Sequence, residues 1–151
     1  MAIVLADVVD VKHLDLSLRA RTQENAFRQL IGLLAATEQV IDSDKFLAEI
    51  LERERVNPSV VEHGVAFPHA RTDLVQEIVL AIGRSRAGVP IGLEGRRAQL
   101  IFLIGVPKRL VSDYLVCVGA LARLAKDDDV RAKLLTAVTA EEFANILRPP
   151  T

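Results

Sequence analysis

One cysteine, no tryptophan, 4% aromatic residues and three histidines in 151 positions leave the chain with few of the usual chemical tools. Each scarcity removes a class of function. The single Cys117 forbids an internal disulfide and suits a reducing compartment, with the cytoplasm as the expectation. It lies in the apolar run Tyr114 to Val118, where it reads as a core residue. Excess charge is also missing: 19 Lys plus Arg face 20 Asp plus Glu, a net −1. No global field therefore draws the chain to nucleic acid or to an anionic membrane. The arginines between 84 and 97 have no aromatics among them, which predicts a solvated loop rather than a platform for stacked bases. The N-terminal MAIVLADVVDVKHLDL has no basic leader and is interrupted by Asp7, Asp10 and Lys12, against both a signal peptide and a membrane span. No glycine-rich phosphate loop followed by Lys-Ser/Thr occurs, which argues against direct use of ATP.

What is present is a foldable globular chain. Half the residues are hydrophobic and 26% are charged, and the length suits one domain, 1–151, with a substantial core. Thr22 is placed to cap a helix running to about Thr37, with Ala26, Phe27, Leu30, Ile31 and Leu34 at three- and four-residue spacing. Asp42 or Ser43 can cap a second, carrying Phe46, Leu47, Ile50 and Leu51 inward and ending before Asn57-Pro58. Residues 56–76 have two prolines, a glycine and no helical period, which predicts a long connecting segment with one short strand at 65–67. His13 falls in an expected loop with no evident partner.

Two apolar runs, 78–82 and 100–104, read as buried neighbouring strands. The stretch RSRAGVPIGLEGRR between them reads as an exposed excursion. Ser112 is expected to cap a third helix, Asp127-Asp-Asp129 to start a fourth that buries Val130, Leu134 and Leu135, and Thr139-Ala-Glu-Glu142 to form a capping box for a last one. That helix would place Phe143, Ile146 and Leu147 inward and stop at Pro149. The order of elements is that of a compact α/β domain with a mostly buried sheet.

The chemistry centres on Gly64-Val-Ala-Phe-Pro-His69-Ala-Arg71. Pro68 fixes its own φ and pushes Phe67 into extended geometry, so the chain presents His69 on a stiffened backbone. Gly64 allows a close or left-handed turn. A neutral imidazole is a competent nucleophile near neutral pH, provided a partner fixes its tautomer. An anionic phosphoryl product would need cations and N–H donors, for which Arg71, Arg53 and Arg55 are the candidates. Ser59 can serve as a nucleophile, a phosphate ligand or a turn residue. His63 lies six residues before His69, but no acidic or cysteine ligand completes a metal site around the pair.

The segment RERVNPSVVEHGVAFPHAR resembles the active-site region of the enzyme IIA type 2 family of the bacterial phosphotransferase system, which includes fructose, mannitol and nitrogen-regulatory members. The likeness rests on Arg53-Glu54, on Gly64 to His69 and on the sixteen-residue separation of Arg53 and His69. It continues through Val89-Pro90-Ile91, the strand 100–104 with Val106-Pro107, and Leu121 to Ala125. The resemblance implies a mixed sheet flanked by helices. It implies that His69 accepts a phosphoryl group from the phosphocarrier HPr or a nitrogen-branch homologue, with Arg53 neutralising the phosphoryl oxygens and without metal or organic cofactor. It implies onward transfer to a IIB partner or use as a regulatory signal.

Two positions depart from the family pattern. Pro58-Ser59 stands where the family has Ser-Thr, and Asp113 where a second histidine is common. Aspartate there would repel a phosphoryl group, which leaves His63 or Tyr114 as substitutes. The alternative to a phosphocarrier is a IIA-like regulatory module that binds a transporter, kinase or other partner through the surface around His69.

Overall fold

The computed structural model describes residues 5–92 and 94–148. Its centre is a mixed five-stranded sheet built around two long antiparallel strands, β4 (Val79–Ile91) and β5 (Arg96–Pro107). The short β1 (Leu14–Asp15) runs parallel to β4 at Ile82 and Gly83. On the far side of β5 lie β2 (Val65–Ala66) and β3 (His69–Thr72), both parallel to it. These two are one interrupted edge strand. Val65 stands opposite Leu100 and His69 opposite Ile104, so the register survives the break at Phe67-Pro68. Proline at such a break removes a ladder donor where an edge strand tolerates it, and the Pro68 carbonyl still accepts from Ile104 N–H at 2.9 Å.

The alternating pleat sorts side chains to two cores. On one face, Ala66, Ala70, Ala81, Ile101 and Leu103 meet Phe27, Leu30, Phe46 and Ile50 from helices α2 (Gln23–Ala36) and α3 (Ser43–Val56). On the other, Leu80, Ile82, Leu100, Phe102 and Ile104 meet Cys117, Leu121, Leu134, Phe143 and Leu147. Those come from α4 (Val111–Lys126), α5 (Asp128–Thr136) and α6 (Ala140–Leu147). A four-residue helix, α1 (Leu5–Val8), and a 3₁₀ turn (Val11–His13) lead into β1. Each fully buried large side chain contributes roughly 1.5–3 kcal/mol to this arrangement. Small residues on the α2/α3 face let those helices lie close. A Cβ on Gly105 would stand 2.7 Å from Phe46 Cζ and 2.9 Å from Val79 Cγ2, so the glycine fixes how near α3, and with it Arg53, comes to the sheet.

The caps explain where the helices begin. Thr22, Asp42, Asp127 and Thr139 each accept from backbone N–H groups of the following turn, satisfying donors that the helix leaves unpaired. Ser112 does not cap α4. The helix already starts at Val111, with Leu110 at the cap position and no side-chain bond there. In the 139–142 box, Thr139 accepts from Glu142 N–H as expected, but Glu142 reaches back to Val138 N–H rather than to Thr139 N–H. Within α5, Leu134 is buried while Val130 and Leu135 are half-buried, as is Ile146 in α6. The expected stop at Pro149 lies outside the described residues.

Two expectations for the connecting segments fail. The stretch 84–97 is no loop excursion but the distal halves of β4 and β5, paired again from Val89–Ala98 to Ile91–Arg96 after a register shift. Its glycines, arginines and proline hid the strands, yet beyond Gly83 β4 has a ladder partner on one side only, where Pro90 is tolerated. Segment 56–76 holds two strand pieces rather than one, because Pro68 conceals a strand that resumes at His69.

Candidate functional site

His69 opens β3 with its ring on the α4 side of the sheet edge, half-buried. Its two ring nitrogens meet groups that leave no freedom of assignment. Nδ1 lies 3.1 Å from the Phe67 carbonyl oxygen, which can only accept. Nε2 lies 3.2 Å from Arg53 Nη2, which can only donate. The neutral ring therefore carries its proton on Nδ1 and offers the lone pair of Nε2. The tilted ring of Tyr114, with centroid 5.1 Å away at 37°, covers one side. Phe67 is anchored by stacking on Phe102 at 5.3 Å, so the carbonyl that sets the tautomer is itself held by the core.

Burial is the main cause that lowers the His69 pKa below its ordinary value. The Phe67 carbonyl opposes it, the Arg53 charge adds to it and Glu54 opposes it, in that order. The site thus keeps the imidazole neutral and nucleophilic. Tyr114 is shifted the other way, its phenol raised mainly by burial, so it stays protonated near neutral pH.

Arg53 sits in the last turn of α3. Its Nη1 donates to the Asn57 carbonyl at 2.8 Å while Asn57 N–H donates to the Arg53 carbonyl at 2.9 Å. This clamp at the C-terminal end of the helix, where positive charge is favourable, leaves Nη2 directed at His69. Arg55 is not drawn in, because its guanidinium pairs with Glu52. Arg71 stands two residues along β3 from His69, exposed, with no side-chain partner among the described residues. Strand alternation puts it on the same face as His69.

Ser59 turns inward rather than toward His69. Its N–H donates to Glu54 Oε2 at 2.6 Å and its hydroxyl donates to Glu54 Oε1. Glu54 is buried, 6% exposed, and these bonds are what make a buried carboxylate tolerable. They fix the loop after α3, and the Ser59 carbonyl would lie 2.5 Å from any Cβ on Gly92. Gly92, with φ +78, lets the β4–β5 turn pack against that loop. His63 and Gly64 form a two-residue turn, both with positive φ (56 and 74), closed by paired backbone bonds between Glu62 and Val65. The Gly64 carbonyl accepts from Gln99 and Leu100 N–H, so this turn aligns the strand that ends at His69, while His63 itself is exposed. The Asp113 side chain lies outside the described residues; of the two proposed substitutes, Tyr114 reaches His69.

The structural role of Glu54 was missed from the sequence. A signal for it exists: Glu54 falls four residues after Ile50 and eight after Phe46, on the buried face of α3. His13 is another correction, since it is buried and has a partner, its Nε2 standing 2.6 Å from Thr37 Oγ1.

Residues 7–149 match the family described as phosphoenolpyruvate-dependent sugar phosphotransferase system, EIIA 2. The chain is 35% identical over 127 residues to a fructose-specific EIIA component from Haloferax volcanii, covering 83% of this chain and 82% of that protein. It is 24% identical over 148 residues to a nitrogen regulatory protein from Bradyrhizobium diazoefficiens, covering 97% and 95%. Among solved structures, nitrogen regulatory protein IIA-Ntr from Neisseria meningitidis superposes with a TM-score of 0.82 at 25% identity, over 95% of this chain and 98% of that one. The mannitol IIA in a complex with phosphorylated IIB from Escherichia coli has the same fold, with a TM-score of 0.79 at 20% identity, over 92% and 96%. The chain belongs to the EIIA type 2 family of the phosphoenolpyruvate-dependent sugar phosphotransferase system and is, at that general level, a phosphotransferase.

Proposed function

We propose that this chain is a single IIA phosphocarrier whose phosphoryl acceptor is Nε2 of His69, and that its donor is the phosphohistidine of an HPr-type protein. The observation that carries this reading is the fixed tautomer. Nδ1–H is tied to the Phe67 carbonyl at 3.1 Å and Nε2 keeps a lone pair beside the only guanidinium that touches the ring among the described residues. In the transfer, the Nε2 lone pair forms a bond to phosphorus as the donor's N–P bond breaks, and the donor imidazole leaves with the bonding electrons. Nδ1 keeps its proton, so the phosphorylated ring carries positive character that the Phe67 carbonyl offsets. Arg53 yields its place on Nε2 to phosphorus and turns Nη2 onto a phosphoryl oxygen, pivoting on the Asn57 carbonyl. Such a reaction is mainly positioning and charge stabilisation, and a cation held 3.2 Å from the nucleophile supplies both.

The phosphoryl group then passes to a IIB protein or reports donor charge to a regulatory target. Exposed Leu115 and Val116 on α4, next to Tyr114, give the apolar part of a docking face for either. No described helix is long and apolar enough to cross a membrane, and we place the reaction in the cytoplasm, where Cys117 stays a free thiol.

The test is phosphoryl transfer from phosphoenolpyruvate through enzyme I and an HPr-type carrier, followed by intact mass. Wild type should gain one acid-labile phosphoryl group, His69→Ala none, and Arg53→Ala should gain it about 10²–10³ times more slowly. A charged donor that leaves folded wild type unmodified would instead favour the regulatory binding module.

A further inference from the structure

We propose that the concave surface between residues 16–21 and the 84–88 stretch of β4 binds a small, multiply charged oxyanion through its charge rather than through any aromatic part. Two adjoining depressions of about 600 and 630 Å³ share Leu18, Arg19, Ser85 and Arg86 as walls, a size that suits a metabolite. Arg84 completes the first and Arg21 and Arg97 the second, and among the described residues neither is lined by an aspartate or glutamate. Five arginines thus converge without a carboxylate in a chain whose net charge is −1.

None of the five forms an ion pair among the described residues, whereas four arginines elsewhere, Arg28, Arg55, Arg96 and Arg131, each hold a nearby carboxylate. Around the depressions, Arg84 is committed to the carbonyls of Leu16, Leu134 and Ala137, and Arg97 gives Nη1 to the Gly88 carbonyl at 3.2 Å. Arg19, Arg21 and Arg86 have no side-chain partner among the described residues. Grouped like charges repel, and guanidinium forks match phosphate and carboxylate oxygens. An oxyanion ligand would relieve the first and use the second.

The walls are built rather than casual. Leu18 N–H donates to the Arg84 carbonyl at 2.9 Å, joining the two sides. Gln99 Nε2 donates to the Arg86 carbonyl at 3.2 Å. Ser85 lines both depressions, is 4% exposed, and its Oγ accepts from Gly88 N–H at 3.1 Å. Its own proton has no acceptor among the described residues, so a buried hydroxyl donor is available to the ligand. Among the described residues, no Phe, Tyr, Trp or His lines either depression. A nucleobase would find only guanidinium planes to stack on, so the lining selects for oxyanion charge rather than for a base. The place is separate from His69: Arg84 pairs with Leu100 and His69 with Ile104, on opposite sides of β5. That spacing is roughly 13 Å along the strand and 10 Å across the sheet.

The test is titration of the ¹⁵N-labelled full chain by NMR, with calorimetry, using inorganic tripolyphosphate, citrate and ATP as probes. Tripolyphosphate or citrate should move amide signals at 17–21, 84–88 and 97. The Arg19→Gln/Arg86→Gln double variant should bind at least tenfold more weakly, while an Arg28→Gln/Arg123→Gln pair with the same change in charge should not. Binding by tripolyphosphate alone identifies a phosphoryl ligand and by citrate alone a carboxylate one. Absence of binding by both, equal weakening in the two double variants, or shifts centred on Arg53 and His69 to Arg71 would overturn the site. ATP binding tenfold tighter than tripolyphosphate would overturn its selection for charge rather than for a base. Binding and the shift map are recorded on wild type, so a folding defect cannot mask those outcomes, and the dispersed amide spectrum of each double variant checks that it is folded before its affinity is compared.

Discussion

His13 and His69 are two of the chain's three histidines, both withdrawn from water, both with pKa values lowered chiefly by burial. They differ in which nitrogen holds the proton. Thr37 Oγ1 donates its one proton to the Leu34 carbonyl at 3.2 Å, so it accepts from His13 Nε2–H. His69 is the reverse tautomer, with Nδ1–H donated and Nε2 left as a base. One ring joins the 3₁₀ turn to the end of α2. The other sits on an edge strand, beside a guanidinium rather than a hydroxyl. Burial and a lowered pKa accompany both His13 and the proposed phosphoryl acceptor His69; the partner of each nitrogen separates them.

Exchanging the two roles gives the largest expected effect. His69→Ala should abolish phosphoryl acceptance while leaving thermal stability nearly unchanged, because the ring is half-exposed at an edge. His13→Ala should do the opposite. Acceptance stays at the wild-type level in intact-mass assays, and stability in urea falls by about 1–3 kcal/mol through the lost Thr37 bond. Loss of acceptance in a folded His13→Ala would break the division.

Glu54 sharpens the contrast from the active side. Glu54→Ala removes both acceptors of Ser59, at a cost of about 2–3 kcal/mol in urea unfolding. Unlike His13→Ala it should also slow phosphoryl acceptance, since the loop it fixes includes the Asn57 carbonyl that clamps Arg53. Wild-type acceptance rates in a folded Glu54→Ala would show that the clamp stands without it.

Acid pH acts on the two rings differently. A histidine whose native pKa lies below its unfolded value of 6.5 leaves the native state with fewer protons. Its stability contribution is then complete above pH 6.5 and is lost as pH falls through the native value. His13→Gln should flatten part of the acid limb of stability. For His69 the same shift keeps Nε2 neutral, so the single-turnover rate of phosphoryl acceptance should hold its plateau below pH 6.5 before declining. A decline already centred at 6.5 would show an imidazole with no net influence from its site.

Much of this was open to reading from the sequence, for definite reasons. Helix starts were visible because Thr22, Asp42, Asp127 and Thr139 cap through their own side chains next to the chain they serve. The central runs 78–82 and 100–104 were visible because strands covered on both faces are continuously apolar. Their extensions were not, since a half-covered hairpin admits Arg86, Gly88 and Pro90, the composition of a loop. At the site, His69 stood out through Pro68 and the family-like segment, and Arg53 through its spacing to His69. The tautomer, the Tyr114 cover and the inward turn of Ser59 depend on contacts between elements, for which the sequence holds no local mark. His13 was misplaced for the same reason, as its partner is 24 residues away.

The smallest effect belongs to the His13 region alone. The chain leaves α2 through Thr37 and Glu38, whose N–H groups and that of Gln39 return to the Leu34 and Ala35 carbonyls. This is the Schellman arrangement, in which the residue at the left-handed position is usually glycine. Here it is Glu38 with φ 61. A left-handed conformation costs an L-residue about 1–2 kcal/mol, and glycine would recover that less about 0.5–1 kcal/mol of extra unfolded-state entropy. Glu38→Gly should therefore stabilise the chain by about 0.5–1 kcal/mol in urea unfolding and leave phosphoryl acceptance unchanged. A gain in stability that slowed acceptance would mean that the end of α2 and the β3 edge are coupled through the sheet, and the two histidine regions would no longer be independent.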